Sequence, residues 1–174
     1  KPLGASSLNE VVCISLEDIE DYTDPEAPMA LLKAAVVCTG VVETRHSLNL
    51  TATASLEDQL KLRLGSGLEV ETWSTLPVGS GMGGSSILGA ALLYCLGVCT
   101  GLGVHRSPRA LVHDDIRLEK LCNDDCGWQD QAGGCIAGAK YITSPRSLPL
   151  IAHTEHLQVP DTVLSSFAKR VMLV

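Results

Sequence analysis

Apolar residues recur along the chain with two periods, which together predict a mixture of helices and strands. Residues 56–64 and 108–121 carry apolar side chains every three to four positions, as amphipathic helices do. Residues 29–38 and 87–98 are apolar around nearly the whole circumference, which predicts buried helices. Residues 68–74 alternate apolar and polar side chains, as expected of a half-buried strand. Further short apolar runs predict strands at 11–14, 48–51, 135–142, 157–159 and 171–174.

The order of these elements predicts an α+β fold, in which helices pack on one side of a mixed sheet. Ser107 followed by Pro108 has the composition of a helix N-cap and first turn, so we expect a helix to begin there. The chain contains no internal repeat, low-complexity tract or clear linker. Residues 1–174 are therefore predicted to form one domain.

A glycine- and serine-rich loop joins the alternating segment to the apolar helix at 87–98. It consists of Gly79, Ser80, Gly81, Met82, Gly83, Gly84, Ser85 and Ser86. A strand, a glycine loop and a helix N-terminus in this order can cradle phosphate, because glycine lets the backbone approach a ligand and the first helical N–H groups lack internal partners. A simple turn is the alternative, since the loop matches neither the Walker pattern nor the dinucleotide-binding fingerprint.

Composition argues against several classes of protein. The formal net charge of −7 and the aromatic content of 3% disfavour phosphate-backbone binding and base stacking, so we expect no nucleic-acid partner. No uninterrupted apolar run is long enough to span a bilayer, so we expect no membrane partner. An acidic run at 17–24 and the pair His153 and His156 could each bind a metal ion, but solvated connectors are the preferred interpretation.

The cysteines indicate a cellular compartment rather than a covalent framework. Seven thiols cannot all pair within one chain. Cys95 with Cys99, and Cys122 with Cys126, have the spacing of adjacent helix positions and could hold zinc, although structural zinc sites are usually spaced differently. Buried thiols in a reducing, cytoplasmic compartment are the preferred interpretation.

Three carboxylates allow both a structural and a chemical interpretation. Asp115 and Glu119 lie one turn apart on the helix predicted at 108–121. They are either solvated helix acids, which the spacing alone favours, or one of them faces a cation at the glycine loop. Asp130 lies between two glutamines, beside Trp128. It is either a general base oriented by the neighbouring amides or the cap of a short helix.

Four stretches of the sequence resemble the GHMP kinases, the superfamily of galactokinase, homoserine kinase and mevalonate kinase. Residues 77–86 resemble the central phosphate-binding motif of that superfamily. Residues 21–22 with 27–35 resemble the helix region of L-fucokinases, residues 68–77 resemble their approach to the loop, and residues 127–134 resemble their catalytic turn. The similarity begins near Val11 and continues to the C-terminus, and the related heptose-phosphate kinases are the next most similar group.

The resemblance implies a GHMP kinase N-terminal domain (ribosomal protein S5 domain 2-like) that binds ATP and Mg²⁺. Loop residues 79–86 would line the nucleotide phosphates. Ser85 and Ser86 would supply hydroxyls for phosphate and metal, with Ser86 preferred as the Mg²⁺ ligand. Glu119 would be the second Mg²⁺ ligand, and Asp130 would orient or deprotonate the sugar hydroxyl. One hydroxyl and one carboxylate suit Mg²⁺, which also takes phosphate and water ligands.

The substrate implied by the resemblance is L-fucose, phosphorylated at its anomeric hydroxyl to fucose 1-phosphate. The family's N-terminal sugar-binding motif and its C-terminal glycine-rich motif are not found in the chain, so we expect an ATP-binding domain that is incomplete at both ends. Two alternatives are a kinase of another sugar, such as a heptose phosphate, and a non-catalytic nucleotide-binding or structural remnant. The expected partners are ATP and a small-molecule sugar, and the oligomeric state is left open.

Overall fold

The computed structural model describes residues 10–44, 54–74, 80–102, 107–122, 127–146 and 150–171. In chain order the helices are α1 (Glu17–Glu20), a 3₁₀ turn (Asp21–Thr23), α2 (Ala30–Cys38), α3 (Leu56–Leu64), α4 (Gly84–Thr100), α5 (Pro108–Leu121), α6 (Gln129–Cys135) and α7 (Asp161–Ala168). The strands are β1 (Lys140–Thr143) and β2 (His153–His156). No helix within the described ranges combines the length and apolar character needed to cross a membrane.

Helices α2, α4 and α5 pack against one another and form the centre of the described structure. Their contact buries aliphatic side chains from all three helices, among them Ala34, Ala35, Val37, Leu92, Leu93, Leu96 and Leu118. Each fully buried leucine or valine side chain contributes about 1.5–3 kcal/mol to stability, so this contact is a major stabilising feature. Helix α6 packs against α4 and α5. The start of α4, the last turn of α5 and the start of α6 are thereby held together.

Local sequence signals predicted the helices well. The predictions at 56–64 and 108–121 are confirmed at both ends. Each of these helices begins after a serine, Ser55 or Ser107, whose side-chain oxygen accepts a hydrogen bond from a backbone N–H in the first turn. The helix predicted at 87–98 is also confirmed but begins earlier, since α4 already includes the last three residues of the glycine loop.

Strand predictions succeeded less often. The segments at 11–14 and 68–74 are irregular rather than strands, so both predictions are wrong. Alternation supplies a strand with two faces, but a strand also needs a partner for its backbone hydrogen bonds. The prediction at 157–159 is wrong because the strand ends at His156. The strand predicted at 135–142 is confirmed only from Lys140 onward, because α6 extends to Cys135 and irregular backbone follows it. The prediction at 48–51 lies outside the described residues, as do residues 172–174 of the prediction at 171–174.

The sheet within the described ranges has two strands. Strands β1 and β2 pair antiparallel, with Lys140 opposite His156 and Thr143 opposite His153. The fold is therefore α+β in its composition, but the predicted mixed sheet with helices on one side is not found in the described part of the chain. Residues three apart on a strand point to opposite faces, so the two histidines do not converge on a metal ion.

The acidic run near the N-terminus has structural partners. Both carboxylate oxygens of Asp21 accept hydrogen bonds from Nζ of Lys33, at 2.7 and 2.8 Å. The carboxylate of Asp18 accepts hydrogen bonds from the backbone N–H groups of Ile14 and Ser15, and these bonds lower the pKa of Asp18. Two of the acids predicted at 17–24 thus fasten the N-terminal segment, one of them to α2, rather than forming a metal site.

Candidate functional site

The glycine-rich loop ends at the N-terminus of α4. Gly81 and Gly83 have φ angles of 66° and 64°, in the left-handed region that glycine adopts most readily. Gly83 is the N-cap residue, so no side-chain oxygen caps the first backbone N–H groups of the helix. Helix α4 has 17 residues, and its dipole places partial positive charge at this uncapped end. A phosphate group is the kind of ligand that such a helix end accommodates.

The loop presents its backbone to solvent and one serine to the interior. Gly81, Met82, Gly84 and Ser85 are exposed, and Ser80 and Gly83 are half-buried. Ser86 is only 2% exposed. Gly79, which was also predicted to contact phosphate, lies outside the described residues. The accessible backbone and the buried Ser86 side chain therefore offer two different kinds of contact.

A buried chain of hydrogen bonds joins the starts of α4 and α6 to α5. Oγ of Ser86 donates to Oε1 of Glu119 at 2.6 Å, and Nε2 of Gln131 donates to Oε2 of the same carboxylate. The residues Ser86, Glu119 and Gln131 are 2%, 2% and 0% exposed, respectively. The structure therefore brings together the two residues that were predicted to share a metal ion. The interpretation of Glu119 as a solvated helix acid is wrong.

Asp130 lies on the first turn of α6 and faces the glycine loop. A Cβ atom added to Gly83 would lie 3.3 Å from Cβ and 3.4 Å from Cγ of Asp130. Glycine is thus favoured at position 83 by the neighbouring aspartate as well as by its backbone angle. The N-cap of α6 is Trp128, and no side chain caps the helix, so the alternative role of Asp130 as a helix cap is not supported. The exposed carboxylate of Asp130 is beside the backbone that would hold phosphate.

Asp115 is a buried carboxyl group one turn before Glu119. It is 0% exposed, and neither of its side-chain oxygens has a hydrogen-bond partner in the described structure. Burial, and secondly the nearby Glu119, raise the pKa of Asp115 to about 8. Its Oδ1 lies so close to Gly89 of α4 that a Cβ atom there would collide with it. The interpretation of Asp115 as a solvated acid is wrong as well.

The oxygen atoms of Ser86 and Glu119 fit a magnesium ion better than a softer metal. Mg²⁺ is usually held by one or two carboxylates together with substrate phosphates and water. Within the described residues, no group of three or more histidine, cysteine, aspartate or glutamate side chains could hold a metal ion. A magnesium ion here would therefore depend on the nucleotide for part of its coordination.

The preferred prediction of buried thiols holds for only some of the described cysteines. Cys95 and Cys99 are exposed on α4, so the preferred prediction of buried thiols is wrong for these two residues. Cys122 is buried, and its predicted neighbour Cys126 lies outside the described residues. Cys135, at the end of α6, is half-buried, and burial raises its pKa to about 11. At neutral pH its thiol is protonated and is a poor nucleophile.

Comparison with known proteins assigns the chain to a family. The family model for the GHMP kinases N terminal domain matches residues 47–138, more than half of the chain. The chain therefore belongs to the GHMP kinase family, as its resemblance to that family predicted. No solved structure gives a significant match.

Two curated relatives are longer proteins whose names describe two activities. The chain is 33% identical to the L-fucokinase/L-fucose-1-P guanylyltransferase of Bacteroides fragilis over 128 residues. This aligned segment covers 74% of this chain and 13% of that protein. The chain is 30% identical to the bifunctional fucokinase/GDP-fucose pyrophosphorylase of Arabidopsis thaliana over 148 residues. This second aligned segment covers 84% of this chain and 12% of that protein. The chain thus spans about an eighth of the length of these relatives.

Sequence reasoning missed the burial of Asp115 and the partnership of Gln131 with Glu119. A signal existed for Asp115, because it lies between Leu111 and Leu118 on the apolar stripe of α5, where a charged residue is unusual. No comparable signal existed for Gln131. Its partner is 12 residues away on another helix, so only the packing of α6 against α5 reveals the contact.

Proposed function

We propose that the chain is the ATP-binding part of a sugar kinase that phosphorylates the anomeric hydroxyl of L-fucose, giving fucose 1-phosphate. One observation carries the proposal: the Ser86–Glu119 hydrogen bond and the carboxylate of Asp130 both lie at the uncapped N-terminus of α4. Phosphoryl transfer requires positioned phosphates, neutralised charge and a group that orients the acceptor hydroxyl. Each requirement has a candidate residue at this helix end.

Backbone N–H groups of the loop and of the first turn of α4 would hold the nucleotide phosphates. Ser86 and Glu119 would hold Mg²⁺, and the ion would neutralise negative charge on the phosphates when bound. The burial of both side chains supports this assignment, because it restricts them to one geometry. The pairing of a hydroxyl with a carboxylate supports magnesium over zinc.

Asp130 would act on the sugar. Its exposed carboxylate would accept a hydrogen bond or the proton from the anomeric hydroxyl. The sugar oxygen would then form a bond to the γ-phosphorus, while the bond from that phosphorus to the β–γ bridging oxygen breaks and ADP leaves. The short distance between Asp130 and Gly83 supports this role, since the base and the phosphates must lie on the same side of the loop.

The identity of the sugar is supported by the relatives alone. Both curated relatives carry fucokinase in their names, and the similarity extends over most of this chain. No observation favours a heptose phosphate over L-fucose. The described cysteines are in the thiol form, which suits the reducing environment of the cytoplasm, the location that we propose.

The proposal is tested by calorimetry with MgATP and by a coupled ADP assay with a panel of sugars. In an intact form of the kinase, Asp130→Asn should abolish ADP release with L-fucose while MgATP still binds. Asp161→Asn is the matched control, because Asp161 is an exposed aspartate in the first turn of another helix, α7. Unchanged turnover in Asp130→Asn would refute the role of Asp130. Turnover of a heptose phosphate but not of L-fucose would show that the proposed substrate is wrong. The absence of MgATP binding would favour a structural module.

A further inference from the structure

Gln131 buries its side chain between α6 and α5. It is 0% exposed, although its neighbours Gln129 and Asp130 on the same turn are exposed. Its Nε2 donates a hydrogen bond to Oε2 of Glu119. A buried amide donor needs an acceptor, and here that acceptor is the carboxylate that the proposed function assigns to the metal ion.

The carboxylate of Glu119 is held from two sides. Ser86 donates to Oε1 from α4, and Gln131 donates to Oε2 from α6. A carboxylate held by a single donor can rotate about its terminal bond, whereas one held at both oxygens can rotate only if a hydrogen bond breaks. Each oxygen has two lone-pair directions, so each can accept a further contact after its present hydrogen bond. Gln131 therefore fixes the directions in which Glu119 can still act as a ligand.

The same turn of α6 also carries Asp130 beside the loop. Asp130 faces Gly83, and the next residue, Gln131, donates a hydrogen bond to Glu119. We propose that Gln131 is a positioning residue that orients Glu119 toward the metal ion and fixes the turn that carries Asp130. This inference rests on the proposed function. It adds a residue that joins the site for phosphate and metal to the group that would act on the sugar.

A purely structural role for Gln131 makes a different prediction. If Gln131 only satisfies a buried acceptor, its replacement should change the midpoint of unfolding and leave the metal affinity of the folded protein unchanged. If it orients the carboxylate, metal affinity should fall even in a variant that remains fully folded. Partners that hydrogen-bond a metal ligand typically contribute 10-fold to 100-fold in metal affinity.

The experiment measures Mn²⁺ binding by electron paramagnetic resonance in the presence of a non-hydrolysable ATP analogue. Gln131→Met keeps the length of the side chain and removes the donor, so we expect Mn²⁺ to bind at least about 10-fold more weakly. Gln129→Met is the matched control, because it makes the same change at an exposed position of the same helix. It should leave the affinity unchanged. Circular dichroism establishes that each variant is folded.

Two further variants separate the possible outcomes. Glu119→Gln should weaken Mn²⁺ binding if the proposed metal site is correct. If Glu119→Gln weakens binding and Gln131→Met does not, the inference about Gln131 is wrong while the proposed site stands. If neither Glu119→Gln nor Gln131→Met changes the Mn²⁺ affinity, the proposed metal site is wrong and the inference about Gln131 fails with it. Should Gln131→Met not fold, Gln131→Asn, whose amide is one methylene shorter, takes its place, and unchanged affinity there overturns the inference.

Discussion

The hydroxyl of Ser86 donates a 2.6 Å hydrogen bond to Oε1 of Glu119, a residue 33 positions later in the chain. Ser86 is the third residue of α4, so this bond lies in the first turn of the helix, at the end that the glycine loop leaves uncapped. Because both side chains are buried, the bond also ties the loop to α5. The same contact thus stabilises the fold and sets the geometry of the candidate metal site.

Ser86→Ala tests the structural part of this relationship. The substitution leaves a buried carboxylate oxygen without its donor, and an unsatisfied buried group costs about 1–3 kcal/mol. We therefore expect the free energy of unfolding, measured in urea, to fall by about that amount. Ser85→Ala is the control, since Ser85 is exposed and its hydroxyl should contribute little to stability. Equal stability of the two variants would show that the hydrogen bond has no net value for the fold.

Gly83→Ala and Gly81→Ala separate backbone strain from contact with Asp130. Both glycines have left-handed φ angles, so alanine at either position should cost about 1–2 kcal/mol in unfolding free energy. Only at Gly83 would the new methyl group press on Asp130, because nothing lies within 4 Å of a Cβ at Gly81. If Asp130 acts on the sugar, kcat at saturating ATP should fall further in Gly83→Ala. Equal kcat values in the two variants would show that the contact between position 83 and Asp130 does not affect the reaction.

The buried carboxyl of Asp115 should make stability depend on pH. Its pKa is raised to about 8 in the folded protein, from 3.8 for an unperturbed aspartate. Between these values the folded state holds a proton that the unfolded state releases, so a rise in pH favours unfolding. The stabilising proton is fully present below about pH 4 and is lost as the pH rises through about 8. The free energy of unfolding should fall across this window, by at most about 1.4 kcal/mol per pH unit.

Asp115→Asn isolates this effect. Asparagine keeps the shape of the side chain but cannot ionise, so the gain in stability relative to the unchanged protein should grow between pH 5 and pH 8. Urea unfolding at several pH values measures that difference. Asp114→Asn, on the preceding residue, is the control for the loss of one carboxylate from α5. A difference that stays constant with pH would mean that Asp115 is ionised in the folded protein.

The sequence predicted local structure and residue types better than it predicted contacts. The start of α5 could be placed to the residue because Ser107 followed by Pro108 is a typical helix N-cap and first-turn pair. The alternating pattern at 68–74 wrongly predicted a strand, because strand pairing also depends on residues elsewhere in the chain. The sequence spacing of Asp115 and Glu119 also favoured the wrong interpretation of Glu119 as a solvated acid. Its burial follows from the packing of α5 against α4, where Gly89 allows the close approach.

The ion pair between Lys33 and Asp21 should respond asymmetrically to mutation. The side chain of Lys33 is 7% exposed and that of Asp21 is 42% exposed, with 2.7 Å between Nζ and Oδ1. Asp21→Ala would leave a buried ammonium group without its partner, which typically costs about 3–5 kcal/mol. Lys33→Met would leave a carboxylate that water can still solvate, and methionine would fill the apolar space, so we expect a loss below about 1 kcal/mol. Urea unfolding of both variants measures the difference. A larger loss in Lys33→Met than in Asp21→Ala would mean that the carboxylate, rather than the ammonium group, depends on the pair.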